Sequence, residues 1–124
     1  MRRLAGTAWK LVETSFSDDR GNQIPPPLGP TPIGVVMFEN ERLIVAVSDG
    51  RQSLPPDDPP RQLICYSGRY RFQGTEIITT ADCASRPDLL GRQVRHIYFD
   101  SLTRMTINTL LGSAGLKLVW ERVG

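Results

Sequence analysis

The chain has 124 residues, with fifteen Lys and Arg against thirteen Asp and Glu and a formal net charge of +2. That length suits one domain over residues 1–124, burying roughly two thirds of its unfolded surface. The charges are scattered rather than run together, which argues against nucleic acid or an anionic membrane surface as a partner. Met1-Arg2-Arg3 leads into a mixed segment containing Gly6 and Lys10. It has no apolar core of a signal peptide and no run able to span a bilayer, so the expectation is a cytoplasmic protein. There Cys65 and Cys83 are expected to stay reduced.

Leu4 to Glu13 places Trp9, Leu11 and, by parity, Glu13 on one face of a first strand. Ser17 to Pro32 carries Asp18, Asp19, Gly21, Asn22 and five prolines, which rules out regular structure for much of it and predicts an ordered loop or a lid. Ile33 to Phe38 and Arg42 to Val47 are apolar, β-branched runs around Glu39-Asn40-Glu41 and read as a hairpin. Ser48 to Arg61 is a connection in which Pro55, Pro56, Pro59 and Pro60 forbid helix.

The strongest hairpin follows. Leu63 to Phe72 alternates Tyr66, Gly68, Tyr70 and Phe72 with Ser67, Arg69 and Arg71, an aromatic face against a cationic one. Gln73-Gly74 turns it into the Ile- and Thr-rich Thr75 to Ala81. Cys83 to Leu90 is a link, and strands Arg92 to Phe99, Leu102 to Leu110 and Leu116 to Val123 are joined at Asp100-Ser101 and Gly112 to Gly115. No segment shows a 3.6-residue apolar stripe. Eight strands in short antiparallel connections predict an all-β chain, an eight-stranded up-and-down barrel with room inside for side chains or one small ligand. Closure requires the strand at Trp9 to pair with the strand at Trp120, leaving no exposed edge.

Several stretches carry a resemblance. Gly6-Thr7-Ala8-Trp9-Lys10-Leu11-Val12, Leu28-Gly29-Pro30-Thr31-Pro32-Ile33-Gly34, Tyr66-Ser67-Gly68-Arg69-Tyr70, Gly91-Arg92-Gln93-Val94-Arg95 and Leu118-Val119-Trp120-Glu121-Arg122 resemble, in order, motifs of the bacterial and fungal lipocalin-like domain family, within the calycin group of barrels. The resemblance implies a calycin-type barrel with an internal pocket and, for most members, no assigned reaction. This chain departs from the pattern at Thr79-Thr80, where the family frequently has a His-His pair, so a base or metal ligand drawn from those histidines is absent. The Ser48 to Arg61 connection is also short and lacks the family's helical insertion, which predicts a more open mouth.

The family pattern turns Arg95, Ile97 and Phe99 inward. An inward guanidinium needs a carboxylate, carbonyls, a ring or an anionic ligand; Glu13 and Glu121 are the expected carboxylates and Trp9 or Trp120 the expected rings. Tyr66 and Tyr70 either hydrogen-bond a ligand's oxygen or serve as core residues, and Gly68 between them leaves room for a ligand or a neighbouring ring. Phe38, Met37, Leu43, Val45, Ile77, Met105, Ile107 and Leu118 supply the apolar wall. His96 falls outside beside Tyr98, and Cys65 outside beside Arg69. No zinc spacing, nucleophile elbow or phosphate loop occurs, and no cofactor is expected.

These residues support three readings. The first is a barrel binding a small apolar or aromatic molecule, its polar end on Tyr66, Tyr70 and Arg95 and its body against Phe38, Met105 and Trp120. The second is an isomerase, cyclase or hydratase with Tyr66 or Tyr70 as acid and Glu13 or Glu121 as base. The third is a solid, non-catalytic barrel that forms a homodimer through the face carrying His96 and Tyr98.

Overall fold

Inside-outside alternation in the strands rolls the chain into a closed, eight-stranded, up-and-down antiparallel barrel in the computed structural model, which describes residues 4–25, 28–111 and 114–124. The wall consists of β1 (Thr7–Ser17), β3 (Pro32–Phe38), β4 (Arg42–Asp49), β5 (Leu63–Gln73), β6 (Glu76–Ala84), β7 (Gly91–Phe99), β8 (Arg104–Leu111) and β9 (Ala114–Arg122); β2 (Gln23–Ile24) is a two-residue spur on β1. The predicted seam is present, with Trp9 opposite Arg122 and Leu11 opposite Trp120.

Four local features depart from the sequence reading. First, a β-bulge between Leu11 and Glu13 inserts Val12. The parity flips there, so Thr14 faces inward opposite Leu118 and Glu13, expected beside Trp9 and Leu11, faces solvent with its side chain 64% exposed.

Second, β1 runs on to Ser17 and turns back as β2, pairing Phe16 with Ile24, inside the stretch expected to be irregular. The turn is closed by the Asp18 carboxylate, whose Oδ1 accepts from the backbone N–H of Arg20 and of Asn22, both at 2.9 Å. Third, β8 begins at Arg104 rather than Leu102, because Asp100 N–H bonds back to the Arg104 carbonyl at 2.9 Å and leaves Leu102 in the turn. The expected turn at Gly112 and Ser113 lies outside the described residues. Fourth, the Cys83 to Leu90 link is shortened by β6 and holds one 3-10 turn, Pro87–Leu89.

One end of the barrel is solid. The barrel's largest fully enclosed side chains are Trp9, Trp120, Phe38, Ile97, Met105 and Val36, and at this end Phe99 joins the Trp9 and Phe72 rings at 6.2 and 6.0 Å. Leu4 covers that end, its carbonyl accepting from Thr7 Oγ1, which in turn accepts the Trp9 Nε1–H at 2.8 Å. Met37, expected in the wall with Phe38, lies 49% exposed on the outer face. Adjacent strand residues point to opposite sides, so the two cannot share the interior.

Candidate functional site

The other end, where β4 and β8 finish and β5, β7 and β9 begin, is not filled. A cavity of about 290 Å³ opens there, walled by Val45, Val47, Ile64, Leu116 and Leu118, with Tyr66 and Arg95 at its base. Beyond them a smaller chamber of about 40 Å³ reaches Ile107, Ile77 and Trp120, and it too is lined by Tyr66 and Arg95. Val45, Tyr66, Arg95 and Leu118 therefore line both spaces.

Arg95 is held in place without a carboxylate. Its Nη1 donates to Thr79 Oγ1 at 2.9 Å, its Nη2 donates to Gln93 Oε1, and its guanidinium carbon stands 5.3 Å from the Tyr66 ring centroid. Among the described residues no Asp or Glu forms an ion pair with it. The expected partners fail for a geometric reason: Glu13 is turned out by the bulge and Glu121 alternates with the inward Trp120. Both instead face Arg104 on the outer surface, at 3.8 and 3.4 Å. The acid-base pairing of Tyr66 with Glu13 or Glu121 is thereby removed. Burial pushes the Tyr66 phenol above its ordinary pKa, partly opposed by Arg95, so it stays protonated and able to donate.

The six residues expected at the site divide into two groups. Tyr66, Arg95 and Trp120 come together around the inner chamber. Phe38 and Met105, 1% and 0% exposed, lie in the solid end and line neither space. Tyr70 is also at that end. Four residues on, it stands about 13 Å along the strand from Tyr66, its ring edge-on to Phe38 at 5.2 Å and its hydroxyl donating to the Glu39 carbonyl. Burial, with a smaller effect from Glu39, raises its pKa.

Gly68 leaves no ligand space. A Cβ there would stand 2.1 Å from the Thr80 carbonyl oxygen, because a register shift between Ser67 and Gly68 brings β6 against it.

Sequence reasoning missed Gln93, Thr79 and Thr109 as polar members of this interior. Gln93 shares the parity of Arg95, and Thr109 that of Met105 and Ile107, so alternation alone marks both. Thr79 falls where the resembled family carries histidine, and its inward side chain is 3% exposed.

Leu28 was also missed. Only 3% exposed, it leaves the proline-rich loop to sit at the cavity mouth. Behind it, a crevice of about 450 Å³ separates that loop from the Ser48 to Arg61 connection. One wall of this crevice is braced by Asp49, whose Oδ2 accepts from Arg51 Nη2 at 2.6 Å and whose Oδ1 accepts from the Arg51 backbone N–H at 3.0 Å. Arg51 reaches Asp58 at 3.1 Å. The Arg51 hydrogen bonds hold the Asp49 carboxyl down to about 2.

Among the described residues no three His, Cys, Asp or Glu side chains gather as metal ligands do, and no helix is long and apolar enough to cross a membrane. No family model, no curated protein and no solved structure matches this chain.

Proposed function

We propose that this barrel binds a small apolar or aromatic molecule in its open end and belongs with the lipocalin-like calycin domains, the reading its sequence motifs and closed eight-stranded wall support. The observation that carries it is the cavity of about 290 Å³, where aliphatic side chains stand with Gln62, Arg86 and Asp88 and the lining includes Arg95 and Tyr66. An apolar hollow with a few convergent polar groups is the usual form of a ligand site. Binding, not catalysis, is the favoured reading because neither Glu13 nor Glu121 reaches Tyr66. We place the protein in the cytoplasm, where Cys65 and Cys83 stay reduced.

A panel of aliphatic and aromatic small molecules, screened by thermal shift and native mass spectrometry, tests the reading. Ligands should raise Tm and appear bound one per chain, and a panel in which nothing binds would refute it.

A homodimer is the second reading, on a face other than that of His96 and Tyr98. Ile33, Met37, Ile44 and Leu63 are 47–59% exposed on neighbouring strands β3, β4 and β5. The register makes them one apolar outer surface, suited to a second copy. Light scattering at rising concentration should show a dimer that Ile44→Lys abolishes; a monomer at all concentrations ends this reading.

A further inference from the structure

The two spaces that meet at Arg95 differ in chemistry, and among the described residues no carboxylate lines the inner one. A guanidinium has five N–H groups and no acceptor. The structure uses two of them, on Thr79 and Gln93, and leaves the rest without a carboxylate. On the same chamber stands Trp120, only 1% exposed, whose enclosed Nε1–H has no hydrogen-bond partner. Trp9, the other buried tryptophan, has its Nε1–H satisfied by Thr7 at 2.8 Å, whereas the Trp120 Nε1–H, like Thr14 Oγ1 and Thr109 Oγ1, has no hydrogen-bond partner. Tyr66 adds a phenol kept protonated by burial. A part-buried cation and an unpaired buried donor that line one chamber are costly unless an acceptor reaches them.

We infer that the ligand is an organic monocarboxylate. Its carboxylate enters the inner chamber between Arg95 and the Trp120 Nε1–H, and its apolar body lies back along Val45, Ile64 and Leu118 toward the mouth. This deepens the binding reading above and rests on it. The chamber of about 40 Å³ has the volume of a head group of two or three heavy atoms. The outer cavity takes a body the size of a phenyl ring with a short chain, at the lower end of ligand-site volumes. The donors select for the ionised form: a protonated acid or a primary amide brings a donor of its own into a space already full of donors.

The test is isothermal titration of the full chain with 4-phenylbutyrate and its isosteric amide, 4-phenylbutanamide, at pH 7.5. The acid should bind roughly 10- to 100-fold more tightly, the discrimination expected of a charge-assisted hydrogen-bonded pair in a partly dry site. Arg95→Met, checked for an unchanged circular-dichroism spectrum, should reduce the acid-to-amide ratio to about one while the amide still binds. Should that variant not fold, the wild-type chain answers by pH: affinity for the acid should fall as pH drops through the ligand's own pKa while affinity for the amide holds. Equal binding of acid and amide overturns the carboxylate assignment and leaves the pocket reading standing. Failure of both to bind while other members of the panel bind overturns the carboxylate assignment alone, and failure of the whole panel overturns the two together.

Discussion

Two tryptophans of similar burial make opposite demands on their surroundings. Trp9 gives its indole proton to Thr7, whereas that of Trp120 goes to no protein group. Trp9→Phe therefore loses a buried hydrogen bond that Trp120→Phe does not. With similar ring volumes lost, the first should cost about 1 kcal/mol more in urea unfolding; equal losses would mean that Trp120 has a partner after all. Asp49 gives a pH-dependent counterpart. Its carboxyl is held at about 2 by Arg51, below the ordinary value of 3.8, so the ionised form is favoured in the folded chain. That contribution is fully present above the unfolded pKa and lost as pH falls from about 4 toward 2. The wild-type urea midpoint should accordingly drop more steeply over that window than that of Asp49→Asn, and parallel curves would show that the Arg51 contact contributes nothing. Of the site residues, Arg95 was legible because strand parity and a family pattern agree on it. Its partners were not. A carboxylate was the obvious expectation for a buried guanidinium, and the neutral oxygens of Gln93 and Thr79 announce nothing in a sequence.

Strands were legible wherever apolar and polar residues alternate without interruption, as in β5 and β7, and misread wherever one extra residue breaks the count. The bulge at Val12 is such a place. Nothing in Leu11-Val12-Glu13 distinguishes a bulge from a regular strand, because the partner lies in β9, more than a hundred residues away, where Trp120 and Leu118 both face in. A second irregularity leaves a testable trace at Gly68. There β6 crosses so close that a methyl group would meet the Thr80 carbonyl oxygen and the Ala81 Cα at 2.1 and 2.6 Å. Both are backbone atoms and cannot rotate aside. Gly68→Ala should cost roughly 3 kcal/mol, the upper end for overpacking. Gly74→Ala, in the open β5–β6 turn at φ +61°, should cost only about 1 kcal/mol of left-handed strain. Denaturant midpoints for the two variants check the order, and a reversed order would mean that β6 can move away.

At the scale of the molecule, the barrel is solid at the Trp9 end and hollow at the Arg95 end, and this asymmetry could not be read from composition. Both ends draw on the same aliphatic and aromatic residues; which of them meet depends on the stagger of all eight strands. Leu28 stands over the hollow end on a loop tied to the Ser48 to Arg61 connection by the Gly50 N–H, which donates to the Thr31 carbonyl at 2.8 Å. Leu28→Ala should cost about 2 kcal/mol or more as a buried truncation. It should also speed the entry and release of a bound fluorophore in stopped-flow measurements, and unchanged rates would mean that traffic uses another route.

The seam between β1 and β9 has a temporal consequence. The ribosome extrudes the strand bearing Trp9 long before the one that completes its hydrogen bonding, so during synthesis the nascent sheet keeps a raw border on either side, open to stray pairing. Closing last means finishing all at once. Molecules stopped short of Ala114 should be sticky intermediates handed to chaperones rather than slightly weakened barrels.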